Sequence, residues 1–170
     1  MIRVHQGSFL DVEAEAFVRP IRSDLAPVSA VSRDLGSAAG ETVEEQLARS
    51  GSIPLGGAVM TPAGALPFDF LIHVVVVSED EPQSTATVQR ALRNGLRRAT
   101  DWAMASLALP PLGIGVGTTE PEEAARALAE ILFDHLDEGA PPRDLTLVVS
   151  SAFEGEMFER LIAELSADRS

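Results

Sequence analysis

The 170-residue chain has no cysteine, no tyrosine and no lysine. Without cysteine there is no thiol nucleophile, no disulfide and no thiolate metal ligand. Without lysine there is no Schiff base and no Walker-type phosphate lysine, so all 13 cationic side chains are arginines. Positive charge is also in short supply. Asp and Glu number 26, giving a net charge of −13 that repels nucleic acid and anionic membranes at long range. Long apolar runs are missing too. The longest, Phe70 to Val77, holds His73 and is far too short to span a bilayer, and Met1-Ile2-Arg3-Val4 turns polar at once. These absences lead us to expect a cytoplasmic protein with no nucleic-acid or membrane partner.

What is present has a globular balance, 45% apolar and 23% charged, and the length suits one core, so residues 1–170 are expected to form a single domain. Short apolar runs read as strands: Ile2 to Val4, Ala14 to Val18, Gly57 to Thr61, Phe70 to Val77, Ser106 to Leu109 and Leu145 to Ser150. The second is expected to stop at Arg19-Pro20, because proline cannot donate into a ladder. Continuous β-branched residues in Phe70 to Val77 imply burial on both faces. Amphipathic stretches read as helices over Val28 to Arg49, weakened by Gly36 and Gly40, and over Thr85 to Met104, Pro121 to Leu136 and Glu154 to Leu165. Strand-helix alternation predicts a three-layer α/β/α sandwich around a mixed, largely parallel sheet of six or seven strands.

Between a strand and a helix lies Pro110-Pro111-Leu112-Gly113-Ile114-Gly115-Val116-Gly117-Thr118-Thr119. Alternating glycines at a strand's carboxyl end let main-chain amides approach an anion, which makes a phosphate cradle one reading. A tight connection with Thr119 and Glu122 as a capping box is the other. Glu120, Glu122 and Glu123 oppose an anion there.

The order of segments, together with Ile2-Arg3-Val4-His5-Gln6-Gly7, Ala14-Glu15-Ala16-Phe17-Val18, Ala38-Ala39-Gly40, Gly57 to Leu66, Leu71-Ile72-His73-Val74 and Pro110 to Gly117, resembles the macro domain family. The resemblance implies the same α/β/α fold and a small anionic, ADP-ribose-like ligand; some family members hydrolyse ADP-ribose derivatives. It also exposes departures. The family's Gly-Asp-Ile, whose aspartate grips the adenine amino group, is Gly7-Ser8-Phe9 here. Val-Asn-Ala-Ala-Asn is Val18-Arg19-Pro20-Ile21-Arg22, the glycine triplet that closes over the ligand is Val28-Ser29-Ala30, and Ser150 stands where many members place an aromatic ring.

The implied ligand-binding residues are Ser8, Phe9, Arg19, Arg22, Ser29, Ala30, Val31, Gly113, Ile114, Gly115, Val116, Gly117, Thr118, Ser150 and Phe153. Arg19, Arg22 and Arg33 either fork onto an anion or pair with Asp24 and Asp34. Arg90, Arg93, Arg97 and Arg98 read as a solvated helix face, His73 as a neutral core imidazole bonded to backbone, and Trp102 and Phe133 as packing residues. Phe153 either borders the pocket or anchors the last helix. No spacing of His5 and His135 suggests a metal, and no cofactor is expected. With Asp24 and Asp34 assigned to arginines, no carboxylate stands ready for hydrolysis. The expected function is a non-hydrolytic binding module; an ADP-ribosyl hydrolase and a scaffold making homomeric contacts are the alternatives.

Overall fold

The computed structural model describes residues 1–114 and 120–170. Its strands are β1 (Ile2–Gln6), β2 (Ala16–Arg22), β3 (Ala58–Pro62), β4 (Phe70–Val77), β5 (Ser106–Leu109) and β6 (Asp144–Val149). Its helices are α1 (Ala30–Ala39), α2 (Glu41–Ala48), α3 (Thr85–Asp101), α4 (Pro121–Glu138) and α5 (Ala152–Asp168), with one 3-10 turn at Phe9–Asp11. The sheet order is β1-β6-β5-β2-β4-β3; every pairing is parallel except the edge pair β3 with β4. This is the mixed, mostly parallel six-stranded architecture that the segment order predicts.

Side chains alternate across the sheet and so sort into two cores. Ala16, Val18, Ile72, Val74 and Val76 meet α3, α4 and α5 through residues such as Leu92, Leu128 and Phe158. On the opposite face Phe17 and Leu71 pack with Leu35, Ala39 and Val43 of α1 and α2, while Ile21 and Val75 pack with Leu47. Burial of β4 on both faces is thus explained by helices on either side. Among the described residues no helix is long and apolar enough to cross a membrane.

Two local expectations need correction. Strand β2 runs through Arg19 and Pro20 instead of ending there. Its pairing with β5 covers only Ala16 and Phe17, so Pro20 lies beyond that ladder, and its carbonyl accepts from Ser32 Oγ at 2.5 Å. The stretch Val28 to Arg49 is two helices, divided at Gly40, whose φ of 104° and ψ of 168° lie in a region essentially reserved for glycine. Helix α4 has Glu120 at its N-cap with Pro121 following, and Glu122 pairs with Arg160, while Thr119 of the expected capping box lies outside the described residues.

Candidate functional site

The chain leaves β1, β5 and β6 at their carboxyl ends into segments that enclose a cavity of about 460 Å³. Gly7, Ser8 and Phe9 come from the exit of β1, Pro110 to Ile114 from that of β5, and Val148 to Ser150 from the end of β6. Val28 to Val31 bring in the start of α1, and Pro20, Asp34, Gln83 and Glu154 complete the described wall. Parallel strands place their open ends on one edge, where the backbone diverges and leaves space for a ligand.

Each wall segment has a local cause. Ser8 caps the 3-10 turn by accepting the Leu10 N–H at 3.1 Å, which turns Phe9 edge-on against Phe17 with ring centroids 5.9 Å apart. Ser29 caps α1 by accepting the Ser32 N–H at 3.3 Å. No acidic residue occupies the first turn of α1, so its positive end is uncompensated there. On the β6 side, Ser150 donates both its N–H and its hydroxyl to Glu154 Oε1, each at 3.2 Å.

Eight of the predicted ligand residues, Ser8, Phe9, Ser29, Ala30, Val31, Gly113, Ile114 and Ser150, therefore come together. Gly115, Val116, Gly117 and Thr118 lie outside the described residues. In the described part of the glycine loop, the Ile114 N–H points back to the Pro111 carbonyl at 3.5 Å, so this amide is not directed at a ligand.

Arg19, Arg22 and Phe153 do not line the cavity. Because β2 continues through Pro20, alternation sends the Arg19 side chain beneath α1 and α2, where it is 1% exposed. Its Nε donates to the Ser32 carbonyl at 2.8 Å, and its Nη1 lies 2.9 Å from Glu44 Oε1. Burial lowers the Arg19 pKa, and Glu44 opposes that shift. Gly36 makes room for this pair: a Cβ there would sit 2.4 Å from both Arg19 Nη2 and Glu44 Oε1. Arg22 folds over the following turn and pairs with Asp24 at 3.5 Å, as its second reading has it. Phe153 is 67% exposed and belongs to a shallow groove with Pro121 and Met157.

Other expectations are refined. His73 is fully buried, but its Nε2 meets the Thr61 hydroxyl at 2.9 Å, not a backbone group. Since that hydroxyl donates onward to the Pro62 carbonyl at 3.0 Å, it accepts from His73 Nε2–H. Burial, with Arg19 nearby, lowers the His73 pKa to about 3, which keeps the imidazole neutral. Trp102 ends α3 largely exposed, tilted against Phe70 at 5.5 Å. Arg90, Arg93, Arg97 and Arg98 are exposed on α3 and form no ion pair among the described residues.

Asp34, read from the sequence as an arginine's partner, lines the cavity instead, and so does Glu154, which that reading passed over. Asp34 stands one turn inside α1, at Val31 plus three, on the stripe that faces the cavity. Its adjacent Arg33 points away and lines a dent on the other side of the helix with Arg19 and Gly36. For Glu154 a signal existed: Ser151-Ala152-Phe153-Glu154 has the spacing of a capping box. Ser151 does accept the Glu154 N–H at 3.2 Å, whereas the Glu154 carboxylate reaches Ser150.

A doubly covered mixed sheet with its cavity at the strand carboxyl ends defines a ligand-binding α/β/α class. The chain belongs to the macro domain family, whose model matches residues 18–128. An uncharacterised protein of Aquifex aeolicus is 35% identical over 130 residues, 76% of this chain and 79% of its own length. Among solved structures, the Oceanobacillus iheyensis macrodomain with ADP is 20% identical at a TM-score of 0.82, covering 97% of this chain and 91% of its own. A variant of that macrodomain with ADPR is 18% identical at a TM-score of 0.82, covering 96% and 92%. At these identities the two structures bear on the fold.

Proposed function

We propose that the cavity binds ADP-ribose, or another phosphate-bearing ligand derived from a nucleotide, without hydrolysing it. The observation that carries this reading is the opening of α1 onto the cavity. Ala30 and Val31 line it at the first two helical positions, where main-chain N–H groups have no carbonyl partner within the helix and carry the positive end of its dipole. The presence of ADP and ADPR on macrodomains of the same fold supports the ligand class.

What lines the site supports the reading without hydrolysis. Attack by water needs a placed base and stabilisation of developing charge. Among the described residues the wall carries no histidine or arginine, and Glu154 is engaged by Ser150. Asp34 favours a second reading, an ADP-ribosyl hydrolase with Asp34 as base, because it lines the cavity and pairs with no arginine among the described residues. The binding role is that of a cytoplasmic module with a small anionic partner; the net charge of −13 opposes nucleic acid.

Calorimetry with ADP-ribose, ADP and inorganic phosphate tests the reading. Heat is expected with the first two and none with phosphate at equal concentration. Silence with ADP-ribose would overturn it and leave the scaffold alternative. Release of ADP-ribose from a modified protein, lost on Asp34→Asn substitution, would establish the hydrolase instead.

A further inference from the structure

Two surface features away from the cavity are opposite in charge. Helix α3 carries Arg90, Arg93, Arg97 and Arg98, all exposed and without an ion pair among the described residues. Steps of three and four residues set Arg90, Arg93 and Arg97 along one stripe. The only acid on the helix is Asp101, so α3 is the one helix with a net positive charge among the described residues. Trp102 follows at its carboxyl end, 60% exposed and one turn past Arg98.

The second feature is a shallow groove of about 640 Å³ between the starts of α4 and α5. Pro121, Phe153 and Met157 give it an apolar floor, and Phe153 is left largely exposed. Glu120, Glu122 and Glu156 stand around that floor. Arg160 beside them is already held by Glu122 and Glu164, whereas Glu120 and Glu156 enter no ion pair among the described residues. A helix dipole accounts for an acid such as Glu122 in a first turn, but Glu156 lies beyond the first turn of α5. The groove is also separate from the cavity, because α5 sends Glu154 to the cavity and both Phe153 and Glu156 to the groove.

We propose that α3 of a second copy of this chain occupies the groove, its arginines pairing with Glu120 and Glu156 and its Trp102 lying against Phe153. Charge complementarity selects this occupant: the cationic helix and the acid-rimmed groove belong to the same molecule, and each bears one of its two largely exposed aromatic rings. Arginine stems cover apolar surface while the guanidinium groups reach the acids at the rim. Copies with a net charge of −13 repel at long range. Salt at about 150 mM screens that field beyond about 8 Å and leaves groups in contact still paired. The contact joins two different surfaces, so a pair leaves one groove and one α3 free and the association repeats.

Sedimentation equilibrium of the full chain in about 150 mM NaCl is the test. The weight-average mass is expected to climb above that of the monomer as protein is raised to about 1 mM, the range of a weak interface. R93E/R97E and E120R/E156R should each stay monomeric. Their equimolar mixture should regain association, since each reversed helix then meets a reversed groove. Phe153→Ser, which alters no charge, should weaken association about tenfold. All five side chains are exposed, so every variant should melt close to the parent. A parent that stays monomeric throughout overturns the proposal. So does association undiminished in either charge-reversed variant, or lost in both and not regained on mixing.

Discussion

His73 sits where parallel β2 and β4 set it directly beside Arg19, on the face covered by α1 and α2. Its solvation is gone and its neighbour is a cation, and both favour the neutral ring. The consequence for stability has a definite sign. The unfolded chain takes up a proton as pH falls below 6.5, whereas the folded chain refuses it until about 3. The contribution is therefore complete above 6.5 and is lost as pH falls from there through about 3. Urea-derived stability should fall by up to about 1.4 kcal/mol per pH unit from this group. His73→Leu should flatten the profile between those values by the same slope; parallel profiles for the two proteins would refute the assignment. That His73 is a core residue was legible from its apolar run. That its partner is Thr61 was not, because the contact depends on β3 pairing antiparallel with β4.

At the scale of elements, Arg19 ties one strand to two helices. Its Nε holds the Ser32 carbonyl of α1, its guanidinium pairs with Glu44 of α2, and Gly36 lets them meet across the surface of α1. Ser32 closes the arrangement by donating to Pro20 of β2. Glu44 retains 42% side-chain exposure, so the buried and vulnerable partner is the arginine. Glu44→Ala leaves a buried cation uncompensated and should cost about 3–5 kcal/mol, discounted toward the lower figure by that exposure. The double variant R19M/E44A removes the charge as well and should be more stable than E44A in urea denaturation. A double variant less stable than E44A would show that packing of the guanidinium, not its charge, dominates. The sequence placed three arginines near the expected ligand and left open whether they bind it or pair with acids. Which face of a strand a residue occupies depends on where the strand continues, and Pro20 was a misleading stop. The division of α1 from α2 was visible only as a weakness at Gly40, since helical periodicity persists through it.

Over the whole molecule, the chain carries a net charge of −13 and a cavity proposed to take an anion. The long-range field opposes approach of such a ligand, while the local amides of α1 attract it. Salt screens the first more than the second. The association rate of ADP-ribose should accordingly rise as NaCl increases from about 10 mM to 150 mM, where the Debye length shrinks from about 30 Å to 8 Å. Stopped-flow rates that fall with salt would place a local cation at the entrance. The order of strands and helices, the doubly buried β4 and the exclusion of thiol and lysine chemistry were all fixed by residue types and by periodicities of two and 3.6, which act over a few residues. Only the tertiary structure could turn Arg19 away from the cavity, bring Asp34 onto its wall, and put Glu154 on the same wall as Ser8 and Phe9. Those placements depend on sheet register, above all the pairing of Ile2 with Leu145 that joins the two ends of the chain, and a local pattern carries no information about contacts at that separation.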